Sequence, residues 1–177
     1  MKISNELEGE KTMNAIFQRT SIRQFQNKPV EEEKIEKILR AAMAAPSAGN
    51  QQPWEFYVIT NPKTIQEVSQ CSAYAGCAAQ APVVLVPCLR TNGLIFPQMG
   101  EIDMAIATEN ILLEITELGL GGVWLGIAPL ADRIKKVDSI LDLKDNLHAF
   151  ALIPIGYPAQ QHPQQDRFDI DRIHFIR

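Results

Sequence analysis

An α+β fold is predicted, on three observations. Helical and strand-like segments mix without the strict strand–helix–strand order of a doubly wound sheet. The run 82–86 is apolar and largely β-branched, as a strand buried on both faces requires. The segment 101–118 is apolar almost all round a helix, which puts it at the centre of the molecule or at a subunit interface. A length of 177 residues predicts one domain over 1–177, with 1–12 as a flexible N-terminal segment and 157–177 as a C-terminal arm and edge strand.

The elements follow in order. Residues 13–18 form a short helix leading into a mixed stretch, 19–30. Over 30–45, glutamates fill the first turn and complement the helix dipole, while Ile35, Ile38, Leu39, Ala42 and Met43 recur at helical spacing. Pro46 stops that helix, 46–53 is a loop, and the aromatic, β-branched 54–60 reads as a strand. Asn61-Pro62 starts a helix to about residue 70, and Ala-rich 72–80 makes another. After strand 82–86 comes a loop, 90–100. Gly119 caps the long helix. A Gly-interrupted apolar segment at 121–127, a broken helix at 130–141 and a strand at 147–155 complete the body. Residues 157–171 are polar and rich in Pro and Gln, like a wrapping arm, and 172–177 alternates as an added edge strand does.

Composition excludes several function classes. Seventeen Lys and Arg against 21 Asp and Glu give a net charge of −4, which argues against a nucleic-acid partner. The apolar run 81–89 is too short for a membrane helix, which needs about 20 residues. The first residues lack the apolar stretch of a secretory signal. Cys71, Cys77 and Cys88 are odd in number and match no metal spacing, so they read as reduced thiols of a cytoplasmic protein.

Three segments carry chemistry. Arg19, Ser21 and Arg23 fall at i, i+2 and i+4, which in an extended chain is one face. Two guanidiniums and a hydroxyl there either grip a phosphate or form a solvated basic face. The loop 46–54 (PSAGNQQPW) offers Ser47, Asn50, Gln51 and Gln52, whose amides both donate and accept, as a flavin or nucleobase edge demands. It reads equally as a polar turn after a helix stop. Glycines 119, 121, 122 and 126 miss the dinucleotide fingerprint, and the segment follows a helix where that motif follows a strand. They leave chain able to approach a flat ligand closely, or a capped helix with a crowded strand. His148, His162 and His174 have no metal-ligand spacing and read as structural, and Glu101, Asp103 and Glu109 read as helix-surface charges. No phosphate-binding GxxxxGK[ST] element is present.

Taken together, residues 19–25 (RTSIRQF), 45–54, 81–86, 119–126 and 172–177, in this order, resemble the FMN-dependent nitroreductase family. The resemblance implies a central, mostly antiparallel sheet flanked by helices. It also implies a homodimer holding FMN at its interface, with the C-terminal arm exchanged between subunits. Arg19 and Ser21 match ligands of the phosphate and ribityl chain, with Arg177 joining at the phosphate, and Arg23 matches the cation beside flavin N1 and O2. Pro46, Ser47, Ala48, Asn50 and Gln52 match the loop that reaches a flavin of the partner. Trp124, Leu125 and Gly126 match the stretch whose N–H groups meet N5 and O4. The implied activity is ping-pong: NAD(P)H gives hydride to N5, then a nitroaromatic, quinone or similar acceptor takes the electrons. No side-chain acid or base is needed, because the cofactor carries the redox chemistry. Other chemistry on the same scaffold (dehalogenation, dehydrogenation, flavin destruction) and an FMN-binding redox sensor are the alternatives. The chain ends at Arg177, where the family often continues with Trp, and the apolar loop 90–100 is short for a lid.

Overall fold

The aromatic run Trp54–Ile59 (β1) lies antiparallel to Val83–Arg90 (β2), with Trp54 opposite Leu89 and Ile59 opposite Val84, in a computed structural model of the chain. The structure describes residues 15–160, 162–163 and 166–177. The segment 1–12 expected to be flexible, and the first two residues of the expected helix 13–18, lie outside these. Four short segments complete the sheet: Gly121–Gly122 (β3), Leu125–Gly126 (β4), Leu147–Ala149 (β5) and Ala151–Gly156 (β6). β2 pairs with β1, β5 and β6, and β6 pairs in turn with β3 and β4, all antiparallel.

Helices cover both faces, which is why β2 and β6 are buried along nearly their whole length. Glu32–Met43 (α2) and Gly100–Glu117 (α4) pack Ile38, Met104 and Ile111 against Val83, Leu85 and Ile153. On the other face, Pro62–Val68 (α3) and Ala131–Leu141 (α5) pack Ile65, Val68 and Val137 against Val84, Val86 and Leu152. Asn61 caps α3, its side chain accepting from the Thr64 N–H at 3.1 Å. α4 leaves Ile102 and Ile106 exposed on one side.

Four expectations need correction. The run 72–80 is not a helix; only Gly76–Gln80 turns, as a 3-10 segment, because Gly76 interrupts the alanines and a helix-interior glycine costs about 1 kcal/mol. The segment 130–141 is an unbroken helix, since Ile134, Val137 and Leu141 still recur at helical spacing. The strand 147–155 is two strands. Phe150 leaves the ladder, donating its N–H to Pro87 (2.9 Å) and accepting from the Ile127 and Ala128 N–H groups. The edge strand at 172–177 does not form: Ile170–Arg172 is a 3-10 turn and 173–177 is irregular. A strand needs a ladder partner, and none of the described residues runs beside it. Phe168, Ile170, Phe175 and Ile176 of this arm are exposed.

Candidate functional site

Alternation of side chains builds the first part of the site. The segment after Ala15–Gln18 (α1) is extended, and the Ile22 N–H donates to the Gly122 carbonyl at 3.0 Å. Ser21 bridges Gly122 in a parallel sense, and Phe25 bridges Pro158. Ile22 is buried, so Arg19, Ser21 and Arg23 share the opposite face. The close approach needs glycine, because a Cβ on Gly121 would lie 2.7 Å from Ile22 Cγ2. Arg19, Ser21 and Arg23 line a cavity of about 500 Å³, together with His162 and Arg167 from the arm. Glu109 of α4 approaches Arg19 at 3.6 Å; burial pushes its carboxyl above the usual range, and the guanidinium partly offsets this. Burial likewise raises the Cys77 thiol, against the opposing field of Arg23.

The loop 46–53 is held in a conformation that side chains rarely adopt. Gly49, Asn50 and Gln52 have φ of 57°, 55° and 46°. Its anchor is Asp103, 2% exposed on α4, which accepts from the Ala48 N–H at 3.0 Å and from Gln51 Nε2 at 2.6 Å. Gln51 continues the network, accepting from the Phe96 N–H (2.9 Å) and donating to the Phe96 carbonyl (3.1 Å). Arg90 donates to the Gln52 carbonyl at 3.2 Å. Ser47 Oγ accepts from the Gln52 N–H, and Gln52 Nε2 donates to Asn50 Oδ1, each at 3.0 Å. Pro46, Asn50 and Gln52 are exposed, and Ser47 and Ala48 are half-buried. Asp103 is therefore not a surface charge. The (i, i+4) positions Asp103 and Ala107 both lie on the buried side of α4, and that register is the signal by which sequence could have found it.

The third part is the glycine-rich edge. β4 pairs with β6 on one side, and among the described residues no strand lies on the other. A Cβ on Gly126 would meet nothing within 4 Å. Arg133 of α5 braces the segment, donating to the Gly126 carbonyl at 2.8 Å while its guanidinium stands 5.9 Å from the ring of the exposed Tyr74. Trp124 is half-buried, edge-on to Phe150 with centroids 5.5 Å apart.

The structure thus gathers Arg19, Ser21 and Arg23 in one cradle and sets them beside Gly122 of β3. It does not bring Arg177 there: that guanidinium lies 5.5 Å from the Phe175 ring at the end of the exposed arm. His162, read from sequence as structural, lines the cradle, and Arg167 and Arg133 were missed, since isolated charges in a polar arm or on an amphipathic helix carry no local pattern.

An antiparallel sheet, an arginine-lined cavity on its glycine edge and a clamped polar loop define an α+β protein with a cationic cleft. The chain belongs to the Nitroreductase family, whose model matches residues 16–75 and 69–157. A relative from Methanothermobacter thermautotrophicus, provisionally named NADH dehydrogenase/NAD(P)H nitroreductase, is 39% identical over 92% of this chain and 85% of its own. A solved structure from Clostridium acetobutylicum, provisionally called an NADH oxidase, superposes with a TM-score of 0.89 at 46% identity, over 92% of this chain and 99% of that one. An FMN-dependent nitroreductase from Clostridium difficile superposes with a TM-score of 0.86 at 26% identity, over 93% of this chain and 98% of that one.

Proposed function

We propose that the chain works as one domain, an FMN-dependent oxidoreductase that takes electrons from NAD(P)H and passes them to nitroaromatic, quinone or similar small acceptors. The observation that carries this reading is the cavity of about 500 Å³ into which one extended segment presents two guanidiniums and a hydroxyl. The donor set suits FMN. Arg19 and Ser21 bind the phosphate and ribityl chain, and Arg23 puts a fixed cation at the N1–O2 edge of the ring, where reduction builds negative charge. A guanidinium already in place stabilises that charge without reorganising. The open backbone at Gly126 leaves room for a flat ring, with N–H groups of Trp124, Leu125 and Gly126 toward N5 and O4, and Arg133 holds that backbone still. Bound there, FMN supplies reversible two-electron chemistry. Reductant and acceptor share one open face in turn, which gives ping-pong kinetics.

The working unit in this reading is a homodimer. Ile102 and Ile106 of α4 and the apolar side chains of the arm are exposed in the single chain, and a second copy would cover them. Such a copy would bring Arg177 to a phosphate and the loop carrying Pro46, Ser47, Ala48, Asn50 and Gln52 to a flavin. Cys71, Cys77 and Cys88 are free, which suits a reducing cytoplasm. The test is a visible spectrum of the purified protein, followed by NADH or NADPH without oxygen and then a panel of acceptors. A flavin spectrum that bleaches with a pyridine nucleotide and recovers with an acceptor is expected. A yellow protein that no pyridine nucleotide bleaches would make it a flavin binder without this turnover.

A further inference from the structure

Residues of α5, β5 and the first turn of α4 line a second cavity, of about 380 Å³, which shares no lining residue with the arginine cradle. Leu89, Ala128, Ile134 and Phe150 give it apolar walls. A polar pair is set into them. His148 Nδ1 lies 2.8 Å from Asp138 Oδ2, and Asp138 Oδ1 accepts from the Ala149 N–H, also at 2.8 Å. With both oxygens engaged and its side chain only 18% exposed, Asp138 is a fixed orienting group. A carboxylate oxygen accepts, so Nδ1 carries a proton, and it is the neutral imidazole that presents an Nε2 lone pair to the cavity. The other charges lining the cavity are Glu101 of α4 and Lys135 of α5, which are opposite in sign and give it no field to select an ion.

We infer that this cavity is a second ligand site, for a small neutral hydroxyaryl molecule whose ring rests on the apolar walls and whose hydroxyl donates to His148 Nε2. A volume of a few hundred Å³, apolar walls and one oriented polar group are what a small-molecule site needs. Nε2 demands a donor, and a phenolic O–H is a better donor than an alkanol. The Phe150 wall, itself locked edge-on against Trp124, suits a flat ring. Nothing in the redox reading uses this pair, so the inference stands apart from it.

Equilibrium dialysis of the full chain against 2-naphthol, with naphthalene as the control lacking a hydroxyl, tests it. The wild-type protein should bind one 2-naphthol per chain, roughly tenfold tighter than naphthalene, the worth of one well-made hydrogen bond. His148→Leu should bring 2-naphthol down to the naphthalene level, and Ile134→Trp, which fills the cavity, should abolish binding of both. Added FMN should leave bound 2-naphthol in place. Absence of binding, equal affinity for the two probes, or release of 2-naphthol by FMN would each overturn the assignment. Should Ile134→Trp fail to fold, the His148→Leu comparison decides alone: an unchanged preference for 2-naphthol in that variant overturns the inference.

Discussion

Replacing Asp103 should unlock the loop 46–53, and the size of the effect can be worked from its contacts. The carboxylate is 2% exposed and accepts from the Ala48 N–H and Gln51 Nε2 at 3.0 and 2.6 Å. A hydrogen bond to a charged group contributes about 1.5–3 kcal/mol, and Asp103→Ala leaves two donors without a partner. Part of that loss returns because a carboxylate no longer has to be kept out of water, leaving a net destabilisation of about 2–4 kcal/mol. For a chain of this size that is a fall in Tm of roughly 5–15 °C. Asp103→Asn preserves shape and can keep the Ala48 bond, yet it aims an amide NH₂ at Gln51 Nε2, and a loss of about 2 kcal/mol is expected. Gln51 cannot simply flip, because its Oε1 already accepts from the Phe96 N–H. Adding Gln51→Glu to Asp103→Asn restores an acceptor opposite the new donor but sets a carboxylate oxygen against the Phe96 carbonyl, to which Gln51 Nε2 donates at 3.1 Å, so less than half of that loss should return. Urea denaturation at fixed chain concentration measures these variants and the Gln51→Glu single, and the cycle of the two singles with the double isolates the coupling. An Asp103→Ala midpoint within about 0.5 kcal/mol of wild type would refute the clamp.

Other consequences are as direct. Gly121→Ala drives a Cβ to 2.7 Å from Ile22 Cγ2, so the Arg19–Arg23 strip must lift from β3; a destabilisation of about 1–3 kcal/mol with weaker FMN binding is expected, and an unshifted urea midpoint would argue against it. Burial raises the Cys77 thiol, so iodoacetamide should label it slowly near neutral pH and faster as pH climbs past the ordinary thiol range; a rate already at its plateau at about pH 8 would contradict this. Deleting residues 166–177 removes the exposed Phe168, Phe175 and Ile176, and sedimentation should then report monomer where the full chain reports dimer. An unchanged dimer would remove the arm from the assembly.

What the sequence disclosed, and what it hid, divides along a physical line. Period-two and period-3.6 patterns are local, and they revealed α2, α4, β1, β2 and the one-sided display of Arg19, Ser21 and Arg23. The clamp on the loop is not local: Ala48, Gln51, Phe96 and Asp103 are brought together only by the docking of α4 beneath two loops. A carboxylate in the first turn of a helix looks like a dipole complement whether it faces water or the core. The break at Phe150 escaped for a similar reason, since its N–H is claimed by Pro87, 63 positions earlier in the chain. The alternating tail 172–177 has the composition of a strand, yet among the described residues it pairs with none. Arg177 belongs to the same case, being exposed at the tip of an arm that has nothing to lie on.

The claim on which the functional reading turns is that Arg19, Ser21 and Arg23 hold a phosphate. Comparing dissociation constants for FMN and riboflavin, in the wild-type chain and in Arg19→Ala, tests it most directly. Two charge-assisted bonds of about 1.5–3 kcal/mol each predict that wild type holds FMN roughly 10²–10⁴-fold more tightly, and that Arg19→Ala removes at least tenfold of that preference. Equal affinity for the phosphorylated and unphosphorylated flavin would contradict the account.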